Sequence, residues 1–169
     1  MAWQWLRRLW RPYLAVSKLG DLVETTASRV EISGNVECVD QIRDPLDGGS
    51  CVMIEYRAWP PSTTIGLDGA TAHNSRAYQV NARQAVDFVL GDGSTQVLVR
   101  SDPGEDLAAL HARLLQRYGV GLRAETEVVL VGQRLQVAGK VEYRRSGPGT
   151  PHRELPYEAI VRAERIRLL

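Results

Sequence analysis

Beyond its first thirty positions, the chain is dominated by alternating apolar and polar residues. In residues 29–39, Val30, Ile32, Gly34, Val36 and Cys38 alternate with polar or charged neighbours, the period-two pattern of a strand buried on one face. Gly34 within that pattern predicts a bulge or tight bend, as a small barrel needs to turn a corner. Residues 44–49 carry turn chemistry, and an apolar strand is predicted over 51–59 until Pro60 and Pro61 end it. Residues 60–77 show hardly any pattern and read as a long loop, either mobile or functional, with mobile preferred. Residues 78–80 read as a short strand. Residues 85–90 and 95–100 flank Gly91-Asp92-Gly93-Ser94 and predict a hairpin. In that hairpin Phe88, Leu90, Val97 and Val99 are expected inside, with residues 91–94 exposed.

The period then changes. Asp102, Pro103 and Glu105 predict a helix start, with Asp102 as the capping carboxylate. Leu107, Leu110, Leu114 and Leu115 recur at three- and four-residue spacing, and Gly119 or Gly121 ends the run. Strands are predicted again over 127–131 and 134–143. Residues 157–169 read as a last strand, although 159–167 also fit a helix. The expected fold is α+β and mostly β. It is a small strand-rich barrel or sandwich, the OB form among them, with one amphipathic helix between two strand blocks and an N-terminal helical arm. The expected division is an amphipathic arm over 1–28 and a single β-rich domain over 29–169.

Composition narrows the function more than the fold. The chain has 169 residues, 21 Lys plus Arg against 20 Asp plus Glu, and a net charge of +1. That balance excludes a protein whose whole surface neutralises phosphates. There is no run of apolar residues long enough to span a bilayer. Arg7, Arg8 and Arg11 interrupt what would be the apolar core of a secretory signal, so none is expected. Cys38 and Cys51 are expected to be free, partly buried thiols, although neighbouring strands would also allow a disulfide.

Catalytic and ligand motifs are sparse. His73, His111 and His152 stand far apart with no metal-ligand spacing beside them, and His111 reads as a solvated or boundary residue of the helix. Asp40, Asp44 and Asp47 miss the spacing of a calcium loop and read as a solvated turn. Gly91-Asp92-Gly93 joins two strands, which hairpin geometry explains without a phosphate ligand. No nucleophile elbow, zinc helix or phosphate loop occurs in the sequence. No catalytic residue, cofactor or metal is therefore expected.

The N-terminal segment carries the one sharp pattern. At 100° per residue, Trp3, Trp5, Leu6, Leu9, Trp10, Tyr13 and Leu14 fall within one half-circle. Gln4, Arg7, Arg8 and Arg11 fill the other half, and no acidic residue precedes Asp21. Pro12 should end or kink such a helix. The expected membrane- or partner-binding residues are Trp3, Trp5, Leu6, Arg7, Arg8, Leu9, Trp10 and Arg11. Their tryptophans suit headgroup depth and their arginines suit anionic lipid. Packing of the same face on the chain's own core, or on a partner subunit, is the alternative.

Three stretches together resemble a known domain. They are Val30-x-Ile32-x-Gly34-x-Val36 running on to Pro45-Leu46 and Cys51-Val52, then residues 88–99 from Phe88 through Leu90, Asp92 and Thr95, then residues 131–141 from Gly132 to Val137, Gly139 and Val141. Their order resembles the GIDE domain, also called BAM for "beside a membrane", over residues 28–145. In eukaryotes that domain lies between the membrane spans of a mitochondrial ubiquitin ligase, whose RING finger carries the activity. This chain has neither RING ligands nor spans, and Thr95 stands where the family's hairpin has Gly. The resemblance therefore implies a non-enzymatic, membrane-adjacent interaction or scaffolding module, similar to stand-alone prokaryotic members. Its expected partner is a protein, with a membrane surface reached through the arm and with no nucleic acid. Its expected place is the cytoplasm, peripheral at the inner face of the membrane. Two lysines, Lys18 and Lys140, against many arginines point to a bacterial source. The alternative is an OB-like single-strand nucleic-acid binder.

Overall fold

Period-two stretches become strands almost throughout, and tertiary contacts gather them into two units. The computed structural model describes residues 13–37, 40–61, 64–65, 71–72, 79–145 and 156–169. The first elements are β1 (Leu14–Ala15), a 3-10 turn (Leu19–Leu22), β2 (Arg29–Glu37), β3 (Ile42–Arg43), β4 (Ser50–Cys51) and β5 (Met53–Trp59). There follow β6 (Thr64–Ile65), β7 (Thr71–Ala72), β8 (Val80–Ala85), β9 (Phe88–Gly91) and β10 (Gln96–Arg100). Helix α1 (Leu107–Tyr118) precedes β11 (Arg123–Val129), β12 (Arg134–Arg144) and β13 (Ala159–Leu168). One unit takes the described residues up to Asp40 with those of Asp87–Asp102 and Leu130–Leu169; the other takes those of Gln41–Val86 and Pro103–Val129.

The first unit is a closed barrel. Five strands follow one another round it as β2, β12, β13, β10 and β9, and β9 pairs back onto β2. Every pair is antiparallel except β10 with β13. Numbered along the chain, the barrel strands run 1-2-3-5-4 and close on 1, the strand order of an OB-type Greek-key barrel. Its interior is the apolar half of each alternation: Ile32, Phe88, Leu90, Val97, Val99 and Leu135 are at most 1% exposed. Residues 159–167, compatible with either period, lie in strand β13 because both its neighbours in the barrel supply ladder partners.

Glycines set the closure. A Cβ at Gly34 would stand 2.9 Å from the Gly91 carbonyl oxygen and 3.3 Å from Leu90 Cβ, so β2 and β9 approach closely only because none is there. The expected bulge at Gly34 is absent from the ladder, which runs in register through Leu135↔Gly34. The irregularities fall in β12 instead, at Ala138/Gly139 and at Val141/Tyr143, where the longest strand of the barrel has to bend round it. The predicted hairpin forms as β9 and β10, but its first strand starts at Phe88 rather than at residue 85, because Ala85 ends β8 and pairs with Met53. Gly91, however, is buried rather than exposed, because it lies opposite both Asn35 and Gln96.

The boundary expected at residue 28 is also corrected. Leu14 and Ala15 are not helical: they run parallel to Val30 and Glu31 of β2, and Val16 N–H donates to the Glu31 carbonyl at 2.9 Å. Leu19 and Leu22 are buried, and Arg144 donates to the Leu22 and Ala27 carbonyls. Residues 13–28 thus belong to the barrel unit. Residues 29–169 divide between both units, since the chain leaves the barrel between β2 and β9 and again between β10 and β12.

The second unit is an antiparallel sheet, β11-β5-β8, with α1 on one face. Ile54, Tyr56 and Ala58 pack with Leu107 and Leu110 of the helix. The single strand expected over 51–59 breaks at Val52, whose N–H donates to Val129 and whose carbonyl accepts from Val86. The stretch read as a loop, 60–77, contains the short pair β6 and β7. The helix starts four residues later than expected. Gly104 has φ +69° and bridges to Gln84 of β8, a backbone no helix start can contain. The cap is Asp106, whose side chain accepts from Ala109 N–H at 3.1 Å. Strand β11 begins at Arg123 rather than 127, because its inward residues Ala124 and Thr126 are too small or polar to show in an apolar pattern.

Two stabilities test this architecture. Phe88→Ala should cost about 3–5 kcal/mol in urea unfolding; a loss under about 1 kcal/mol would take Phe88 out of the barrel interior. Asp106→Ala should cost about 1 kcal/mol, and an unchanged midpoint would return the helix start to Asp102.

Candidate interaction surface

The expected site residues Trp3, Trp5, Leu6, Arg7, Arg8, Leu9, Trp10 and Arg11 lie outside the described residues. What is described is the point where their segment joins the barrel. Tyr13 Oη donates to Glu164 Oε2 of β13 at 2.5 Å. Arg29 and Arg165 place guanidinium carbons 5.8 and 5.0 Å from the centre of the Tyr13 ring. Arg29 also bonds Glu164 Oε1 at 2.8 Å. The hydrogen bond from Tyr13, aided by Arg29, holds the Glu164 carboxyl below the ordinary range, and the same bond raises the Tyr13 phenol. Each cation–π contact at such a site is worth about 0.5–1 kcal/mol. This cluster ties the end of the N-terminal segment to the outer wall of the barrel.

The hairpin turn is a second local network. Asp92 Oδ1 accepts from Ser94 N–H and Thr95 N–H, and Oδ2 accepts from Leu19 N–H at 3.3 Å. Burial raises this carboxyl, but the hydrogen bonds outweigh it and leave it lowered. The carboxylate thus organises the turn and meets the 3-10 segment; it is a structural acceptor.

The second unit bears a shallow groove of about 360 Å³ along β5 and β8, lined by residues 55–57 and 81–83. Arg57 reaches Glu125 at 3.4 Å and Glu127 at 3.5 Å, and Glu55 stands opposite Arg83. The exposed pairs of Arg57 stabilise little, whereas Arg83 is half-buried, donates to Met53 Sδ at 2.7 Å and has a buried Nε with no hydrogen-bond partner. On the inner face Tyr56, fully buried, shares a 2.8 Å hydrogen bond with His111 Nδ1, and burial raises its phenol. His111 is thus a boundary residue, as expected, with a core partner that its place in the sequence does not reveal.

Among the candidate ligands, Asp44 is buried rather than solvated. Its Oδ2 accepts from Thr126 Oγ1 at 2.6 Å and its Oδ1 from Leu46 N–H at 2.8 Å, so it braces the β3–β4 turn. Cys51 is a free, buried thiol whose pKa is pushed up to about 11 by burial and then by Asp44 and Asp47, which makes it unreactive. Cys38, His73 and His152 lie outside the described residues. Among the described residues, no group of three His, Cys, Asp or Glu is placed to hold a metal ion, and no helix is long and apolar enough to cross a membrane. No family model and no curated protein matches the chain.

Sequence reasoning missed the Tyr13 cluster because it groups residues far apart in the chain. Its only signal is Tyr13 itself, counted with the amphipathic face but held by the barrel. The cluster has a pH signature. Glu164 is lowered in the folded state, so its contribution is present above its unfolded value near 4.5 and is lost as pH falls through the folded value. The difference in unfolding midpoint between the native chain and Glu164→Gln should be largest above pH 5 and shrink as the solution is acidified. A difference that is flat with pH would remove the carboxylate from the cluster.

Proposed function

We propose that the protein is a non-enzymatic, membrane-adjacent interaction module whose barrel carries an amphipathic N-terminal segment to an anionic membrane surface. The tethering of Tyr13 carries this reading. An inserting segment positions a domain only if the junction between them is stiff. Here that junction is fixed by a hydrogen bond to a carboxylate, two cation–π contacts and a short parallel pairing. The segment beyond it concentrates three of the four tryptophans and three arginines within residues 3–11, a composition suited to headgroup depth and anionic lipid. The resemblance to GIDE/BAM domains agrees with this role, with a protein as the further partner and the inner face of the membrane as the place.

The single-strand reading has the OB-type strand order in its favour, but little chemistry. The positions of β9 and β10 that point away from the barrel interior are Val89, Gln96, Leu98 and Arg100; none is aromatic, and Val89 is itself buried. Phe88 is inside the barrel and Tyr56 inside the second unit. Stacking platforms need rings on the outside.

The test is sedimentation with phosphatidylcholine vesicles, with and without phosphatidylglycerol, alongside tryptophan emission. The full chain should pellet with the anionic vesicles and shift its emission to the blue. A chain with Trp3, Trp5 and Trp10 replaced by Gln should do neither. If the full chain stays in the supernatant with its emission unmoved, the segment is not a membrane anchor.

A further inference from the structure

Strand register places four cations side by side on the barrel wall. Arg29 of β2 lies opposite Lys140 of β12, Lys140 lies opposite Arg162 of β13, and Arg162 lies opposite Arg100 of β10. All four are on the outer face, with Arg29, Arg100 and Arg162 side chains 33%, 48% and 65% exposed and Lys140 exposed as well. Adjacent strands are about 4.8 Å apart, so the row spans roughly 14 Å. Like charges directly opposite each other destabilise a sheet, and this row contains three such pairs in succession.

The neutralisation is incomplete. Glu142 bonds Arg162 at 2.6 Å and Arg100 at 3.2 Å, and Glu164 bonds Arg29 and lies near Lys140. Among the described residues, the four cations of this row share two carboxylates, a surplus of +2 within the row, and the neighbouring Arg165 is paired with Glu31 at 3.6 Å. The Tyr13 ring lies over Arg29 at one end of the row. The N-terminal segment therefore joins the barrel on the wall that carries this surplus.

We propose that the wall formed by β2, β12, β13 and β10 docks on anionic lipid headgroups through Arg29, Lys140, Arg162 and Arg100. The proposal rests on the membrane reading above and adds to it a surface that sequence does not display. Charge complementarity and continuity with the root of the segment select this occupant. An anionic headgroup layer would relieve the repulsion along the row without displacing Glu142 or Glu164.

The experiment uses four full-length chains: the native chain, Arg100→Gln/Lys140→Gln/Arg162→Gln on the wall, Trp3→Gln/Trp5→Gln/Trp10→Gln in the segment, and the two sets combined. Thermal melts check that the exposed wall substitutions leave the fold intact. Binding is measured on vesicles with and without phosphatidylglycerol, at low and at physiological salt. The wall set should weaken binding to anionic vesicles at least about tenfold and flatten its salt dependence. It should leave the tryptophan shift at saturating lipid unchanged. If the wall set binds as the native chain does while the segment set fails, the wall proposal falls and the membrane reading stands. If the native chain binds neither kind of vesicle, both fall. Native binding to single-stranded DNA without binding to vesicles also overturns the lipid assignment.

Discussion

One strand joins both ends of the barrel's strand order, and the barrel depends on it. Strand β2 pairs with β12 over Arg29–Asn35 and with β9 over Asn35–Glu37. The exchange falls where a side chain at Gly34 would meet the backbone of Gly91. Once that contact is made, five strands close on themselves with no free edge among them. The inward half of every alternation then has one place to go. Ile32, Phe88, Leu90, Val97 and Leu135 fill it.

Closure also explains how the chain leaves the barrel twice without unmaking it. The ladders satisfy one another, so the β2–β9 and β10–β12 connections are free to build a second unit from Gln41–Val86 and Pro103–Val129. That unit solves the same patterning problem differently. Its three-stranded sheet remains open and hides one face under α1, with Tyr56 and His111 sharing a hydrogen bond at that interface. Its other face is solvated and laced with ion pairs around Arg57.

On the barrel, register turns scattered charges into neighbours. Tyr13, Arg29, Glu164 and Arg165 come from both ends of the chain and meet on one wall. The proposed membrane reading draws its force from this meeting, because it ties an amphipathic segment to a surface with surplus positive charge. A flexible tether would deliver the same segment without orienting the barrel behind it.

The alternation of Val30, Ile32, Gly34 and Val36, the β9–β10 hairpin and the leucine spacing of α1 were legible in the sequence alone. Each is local: side-chain period and turn chemistry act within a few residues. The composition of residues 3–11 was legible for the same reason. Tertiary structure decided the rest. Asp102 had every local mark of a helix cap, yet the bridge of Gly104 to Gln84 moved the start to Asp106. Residues 159–167 fitted either period until ladder partners on both sides made them a strand. Asp44 looked solvated until Thr126, far along the chain, bonded it. The cation row needed the register of four strands at once, and local sequence does not encode the register between distant strands. Long-range pairing therefore chose where local chemistry left alternatives open, as at 159–167, and overrode it at Asp102 and Asp44.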